Sequence, residues 1–255
     1  MVNKSELTRK EVIMLIAVAQ HGVKLAGVNL HGLDLSKANL VGADLSNTNL
    51  QGANLTCSQL NNANLEGANL EGATLINADL IHTKLYGANL KHANLEGSNL
   101  HGAYLNNALF EGANLERANL EGSNFHGGNL AGSNLSHSNL RGANLNRANL
   151  SETNLEGATL TDADLIRTHL YNANLSGANL SNANLSSANL IRAKLRNAKL
   201  VDANLSGAHL QHAIFEGANL SGANLSGAIR DLTSLAGSKL TDANLSNVQT
   251  EDYIP

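Results

Sequence analysis

Proline, tryptophan and cysteine are nearly missing from this chain of 255 residues, which holds one Pro, no Trp and one Cys. The lone Cys57 excludes an internal disulfide framework and any zinc site built from cysteines. Charge is also sparse. With 17 Lys plus Arg against 21 Asp plus Glu, the formal net charge is −4. That balance is too mild for a basic nucleic-acid surface and too mild for strong acid mimicry. No apolar run reaches membrane-spanning length. The longest, residues 12–19, follows Lys4, Arg9 and Lys10, and Ala17-Val18-Ala19 has the form of a signal-peptidase site. Glu6 and Glu11 dilute the basic segment, so a cytoplasmic protein is expected, with export as the alternative if residues 1–19 are a signal peptide.

What the chain has instead is a repeat. Of the 45 positions reached by steps of five from Leu25 to Leu245, 41 are Leu, three are Phe (Phe110, Phe125, Phe215) and one is Arg230. Two residues before each stands a small residue, most often Ala, as at Ala38, Ala43, Ala53 and Ala63. Between them lies a polar residue, usually Asn. The unit reads Ala-Asn-Leu-x-x, and nothing shifts its phase.

Period five decides the architecture. On a helix, successive Leu side chains would spiral about the axis without forming a stripe. In a strand, the small residue and the Leu two positions on share a face, but an odd period turns the next Leu outward. The chain must therefore turn once per repeat. The glycines mark the corners: all but Gly128 fall two residues after the central position. Gly and Asn tolerate the positive φ that a type II turn requires at its third residue. Four corners close a coil of about 20 residues, coils stack at about 4.8 Å, and about 11 coils give a rod of roughly 50–55 Å. Leu fills the axis, Ala shares its narrow interior, and Asn stacks in outward ladders.

Ala-Asn-Leu-Ser-Gly, repeated from about Val23 to Val248, resembles the pentapeptide-repeat family. The resemblance implies an all-β fold, a right-handed quadrilateral parallel β-solenoid; the handedness comes from the resemblance alone. The division expected is an N-terminal capping helix at 1–22, the solenoid at 23–248 and a tail at 249–255.

A solenoid exposes its apolar axis at both ends and needs caps. Thr8-Arg9-Lys10-Glu11 is a capping box ahead of an apolar run, which predicts a short helix from Arg9 to Gln20 over the first coil. At the other end Val248, Tyr253 and Ile254 are candidate plugs. Family members often dimerise through that end, so the resemblance implies a homodimer as one mode of assembly. Arg230 in the axis predicts a local bulge, with Arg230 turned out and Ile229 or Leu232 turned in. Residues 69–90 and 154–175 match at 17 of 22 positions, a segmental duplication.

No motif for catalysis, metal or cofactor emerges, so no catalytic, metal-ligating or cofactor-binding residue is assigned and an enzyme is not expected. His82 and His101 should be neighbours across one coil step, without an evident third ligand. Two surface features stand out. Glu96, Glu116 and Glu156 form a candidate acidic stripe at steps of 20, interrupted by Ser136 and Arg196. Ile76, Ile81, Tyr86, Ile166, Tyr171, Ile191 and Val201 put large apolar groups at the outward position after the central residue. Of these, Ile166, Tyr171 and Ile191 form a candidate partner-binding patch, with Tyr171 and Ile191 stacked on adjacent coils. The leading expectation is a rigid scaffold for an unidentified protein partner, without direct contact to nucleic acid or membrane. The alternative, implied by the resemblance, is a DNA-mimic protein that binds DNA gyrase, as quinolone-resistance members of the family do.

Overall fold

The computed structural model describes residues 7–19 and 22–250. Every central side chain from Leu25 to Leu225 is buried, the three phenylalanines included. Each such Leu contributes about 1.5–3 kcal/mol before entropy is counted. Each five-residue side makes one parallel bridge to the residue 20 further on, in an unbroken series from Lys24↔Asp44 to Ile229↔Gln249. A side is too short to run as an extended strand, so the coil is built from isolated bridges joined by turns.

The pentapeptide satisfies its own backbone. In residues 134–138, Asn134 N–H donates to the Ala113 carbonyl at 2.9 Å. The Leu135 and His137 N–H groups donate to the carbonyls of Asn154 and Glu156 in the following coil, at 2.7 and 2.9 Å. Ser138 N–H closes the turn onto Leu135 at 3.2 Å. The remaining donor, Ser136 N–H, is taken by the Asn134 side-chain oxygen at 3.2 Å. All five donors are thus placed, and the last needs an amide or carboxylate side chain at the bridge position. This is the physical reason for Asn there. The Asn amide then donates along the face, as from Asn134 to Asn114 and from Asn154 to Asn134, both at 3.1 Å.

Corners carry positive φ throughout, +64° at Gly132 and +55° at Arg167 for example. Gly and Asn suit this conformation; a longer side chain costs about 1–2 kcal/mol in it.

The helix α1 spans Arg9–Val18, and its capping box is formed: Thr8 accepts from Glu11 N–H while the Glu11 carboxylate accepts from Thr8 N–H at 2.7 Å. Val12 is fully buried, and Leu7 and Ile16 pack against the same core. Arg9 ties the helix to the rod through the Asp34 carbonyl at 2.6 Å. The helix ends two residues before the expected Gln20, which lies outside the described residues, as do Tyr253 and Ile254. Gly22 follows, and a Cβ there would run into the Gly42 carbonyl.

At the far end Leu235 and Leu240 are half-buried and Leu245 is 44% exposed. The bulge expected at Arg230 is absent. Arg230 keeps the central phase, its N–H donating to the Gln249 carbonyl at 3.0 Å, and Ile229 holds the bridge position. Leu232, one of the residues expected to turn in, is 80% exposed on a left-handed corner. The inter-coil bonds fix register more strongly than one central side chain can disturb it, and near this end Arg230 is half-exposed.

The duplication has a structural counterpart. Asn61 donates to Asp79 at 2.7 Å and accepts from Ile81 N–H at 2.9 Å. Asn146 does the same with Asp164 and Ile166, at 2.7 and 2.8 Å.

Candidate functional site

Ile76, Ile81, Tyr86, Ile166, Tyr171, Ile191 and Val201 are all half-buried, each flanked by the coils above and below. Val41 holds the same phase and is 43% exposed. Tyr171 and Ile191 lie on successive coils, joined through Asn172 N–H and the Ile191 carbonyl at 3.0 Å. Arg192 completes the group: its Nη1 donates to the Tyr171 hydroxyl at 3.1 Å and its guanidinium carbon stands 6.0 Å from the ring centroid. Sequence reasoning missed this arginine, because 21 residues separate the pair and the contact exists only once the coil is closed.

Ile166 sits across the same face of the rod, at the corner that begins the side ending in Tyr171. A shallow concavity of about 440 Å³ opens beside it, lined by Asn146, Arg147, Arg167, Ser186 and Ser187 among others. Arg147 and Arg167 are exposed and form no ion pair among the described residues. Their spacing of one coil was the signal in the sequence that could have found them.

The acidic stripe has a different local chemistry. Glu116 accepts from the Asn134 amide at 3.5 Å and pairs with Arg117 at 2.9 Å. Glu156 accepts from Asn174 at 3.3 Å. The same offset of 18 residues recurs at Glu71, Glu111 and Glu121, whose carboxylates take the amides of Asn89, Asn129 and Asn139. At these five positions the outward Glu folds onto the Asn of the next coil. Further along the column, Arg196 binds Glu216 at 2.9 Å, and this contact holds the Glu216 carboxyl below its ordinary range. Glu96 lies in the same column and is half-buried.

His82 and His101 do meet, edge to face, with ring centroids 5.7 Å apart. Tyr86 and Tyr104 stack beside them, also at 5.7 Å. Cys57 is an exposed free thiol. No helix among the described residues is long and apolar enough to cross a membrane.

The family model for pentapeptide repeats matches in eight copies between residues 24 and 229. The chain is 34% identical to HetL, a pentapeptide repeat protein involved in heterocyst differentiation regulation in the cyanobacterium Nostoc, over 94% of this chain and 95% of HetL, with a TM-score of 0.37. It is 32% identical to a pentapeptide repeat protein of the Arabidopsis thaliana thylakoid lumen, over 38% of this chain and 67% of that one, with a TM-score of 0.37. QnrB1, a plasmid-mediated fluoroquinolone resistance protein, is 19% identical over 74% of this chain and 88% of its own, with a TM-score of 0.42. No curated protein matches the sequence.

Proposed function

The chain belongs to the pentapeptide-repeat family, and on that premise we propose that it is a rigid, non-catalytic scaffold that holds a protein partner against one side of the rod. The coil is taken as right-handed and quadrilateral, about 11 turns long, in keeping with the family. The observation that carries the reading is the group of Tyr171, Ile191 and Arg192. Where most outward positions hold polar residues, this corner stacks an aromatic ring, a branched aliphatic and a guanidinium on adjacent coils. Tyr and Arg on a rigid backbone supply contact area with little ordering cost, the usual make-up of an interface hot spot. The rod meets solvent as convex faces with shallow concavities, which suits docking along a surface better than enclosure of a small substrate.

The gyrase-binding reading draws less support. A mimic of DNA needs an uncompensated negative field, whereas Glu116 pairs with Arg117 and Glu216 with Arg196 along the same column. Self-association through the C-terminal end is a second mode of assembly, supported by the growing exposure from Leu235 to Leu245.

The test is the double variant Tyr171→Ser with Ile191→Ser. Thermal unfolding should stay nearly unchanged while capture of a protein partner from the native host, or self-association, is lost. Retained binding by the double variant would end this assignment of the surface.

A further inference from the structure

The geometry points to the chemistry of the partner: the face bounded by Arg147 and Arg167 on one edge and Arg192 on the other is a docking surface for an acidic polypeptide segment with interspersed apolar side chains. This deepens the scaffold reading and rests on it.

Three observations converge on this face. First, all three arginines occupy left-handed corners, at φ of +59°, +55° and +61°, where Gly or Asn would sit without strain. Second, none of the three is ion-paired among the described residues, while Arg9, Arg117, Arg141 and Arg196 all are. Arg192 is fixed by Tyr171, a neutral partner that leaves its charge available. Third, the Asn ladder along the middle of this face is broken twice. The bridge positions read Asn149, His169, Asn189 and His209, so the N–H groups of Tyr171 and Gln211 lose the side-chain acceptor that Asn provides elsewhere.

The charges on this side of these coils are the three arginines and Glu152, with Asp164 just around the corner, bonded to Asn146 at 2.7 Å. This side is therefore positive on a chain whose net charge is −4. Apolar contacts lie between the cationic edges: Ile166 at one, Tyr171 and Ile191 at the other. The concavity between Arg147 and Arg167 also presents the Ser186 and Ser187 hydroxyls, donors for a carboxylate, while the Asn146 amide is engaged by Asp164. An extended segment laid across the side would place acidic groups at both edges and an apolar group against Tyr171.

The experiment measures anisotropy of a fluorescein-labelled Glu-Tyr copolymer peptide against the full chain. The key variant is Arg147→Asn, Arg167→Asn, Arg192→Asn. Asn is the native occupant of corners such as Asn107, Asn172 and Asn197, so this variant keeps the fold. Binding that weakens steeply with salt, and falls about tenfold or more in the variant at unchanged thermal stability, supports the proposal. Equal affinity of wild type and variant overturns it, and so does absence of binding at low salt. Tighter binding of a single-stranded oligonucleotide of similar charge also overturns it, in favour of a nucleic-acid surface. The Tyr171→Ser, Ile191→Ser protein separates the two levels of argument. If host-partner capture depends on that pair but not on the arginines, the acidic assignment fails and the scaffold stands.

Discussion

Phe110 and Phe125 meet edge to face inside the rod, with ring centroids 5.6 Å apart and planes inclined at 61°. Both are fully buried, and they are 15 residues apart, so the contact joins adjacent sides of successive coils. The one glycine away from a corner, Gly128, holds the small-residue phase three positions after Phe125, where its N–H closes the turn at 2.8 Å.

Phe110→Ala should therefore cost about 3–5 kcal/mol, the loss of a buried ring plus the cavity it leaves. Urea unfolding followed by circular dichroism reads the effect. A loss under about 1 kcal/mol would mean that the axis can collapse around the gap, contrary to a rod held in register by its coils.

The corners distinguish backbone from packing. A Cβ at Gly132 meets nothing within 4 Å, yet the residue sits at φ +64°. Gly132→Val should destabilise by about 1–2 kcal/mol through conformation alone, and Gly132→Asn by less than half of that. Equal losses would place the cause in sterics.

His169→Asn should be stabilising, by about 0.5–1.5 kcal/mol. It would extend the ladder from Asn149 towards Asn189 and give Tyr171 N–H an acceptor. Thermal unfolding tests this directly. A midpoint that falls would show that the histidine has a structural partner of its own.

Acid should loosen the N-terminal end. Hydrogen bonds from Thr8 hold the Glu11 carboxyl below its ordinary value, and bonds from Ser36 and Ser46 do the same for Asp34 and Asp44. A carboxyl depressed in the folded state adds stability above its unfolded pKa and loses it as pH falls through the lower, folded value. Stability should thus decline below about pH 4, with Glu11→Gln flattening part of that slope. The measurement is the protection of α1 amides from hydrogen exchange relative to their intrinsic rates at each pH, and protection that does not change with pH would contradict it.

Removal of residues 1–20 should expose the first coil and promote aggregation, since Val12, Leu7 and Ile16 cover the axis there. A truncated rod that stays monomeric with unchanged unfolding would assign the helix another purpose.

Much of this was legible in the sequence because the repeat is short-range. The Leu phase gives the axis, the Gly and Asn corners give the turns, and Thr8 with Glu11 gives the cap; each lies within one pentapeptide or one helical turn. What escaped depends on the offset between coils. The Asn134–Glu116 bond spans 18 residues and the Arg192–Tyr171 bond spans 21, distances with no meaning until the coil closes. Arg230 was misjudged for the same reason: a local argument about one buried charge was set against hydrogen bonds to neighbouring coils, and the bonds govern.

Those bonds have a consequence for length. Those between coils join residues 19 or 21 apart along the chain, and no two distant parts of the sequence need to find one another. Contact order is accordingly low, about 0.08 if a span of 20 residues is set against the whole chain, a value otherwise typical of helical bundles. Excision or insertion of one whole coil leaves every remaining bond with an equivalent partner and changes the rod only by about 4.8 Å. The molecule is graduated like a ruler, and the separation between whatever its two ends touch can be reset in single steps without redesigning the interior.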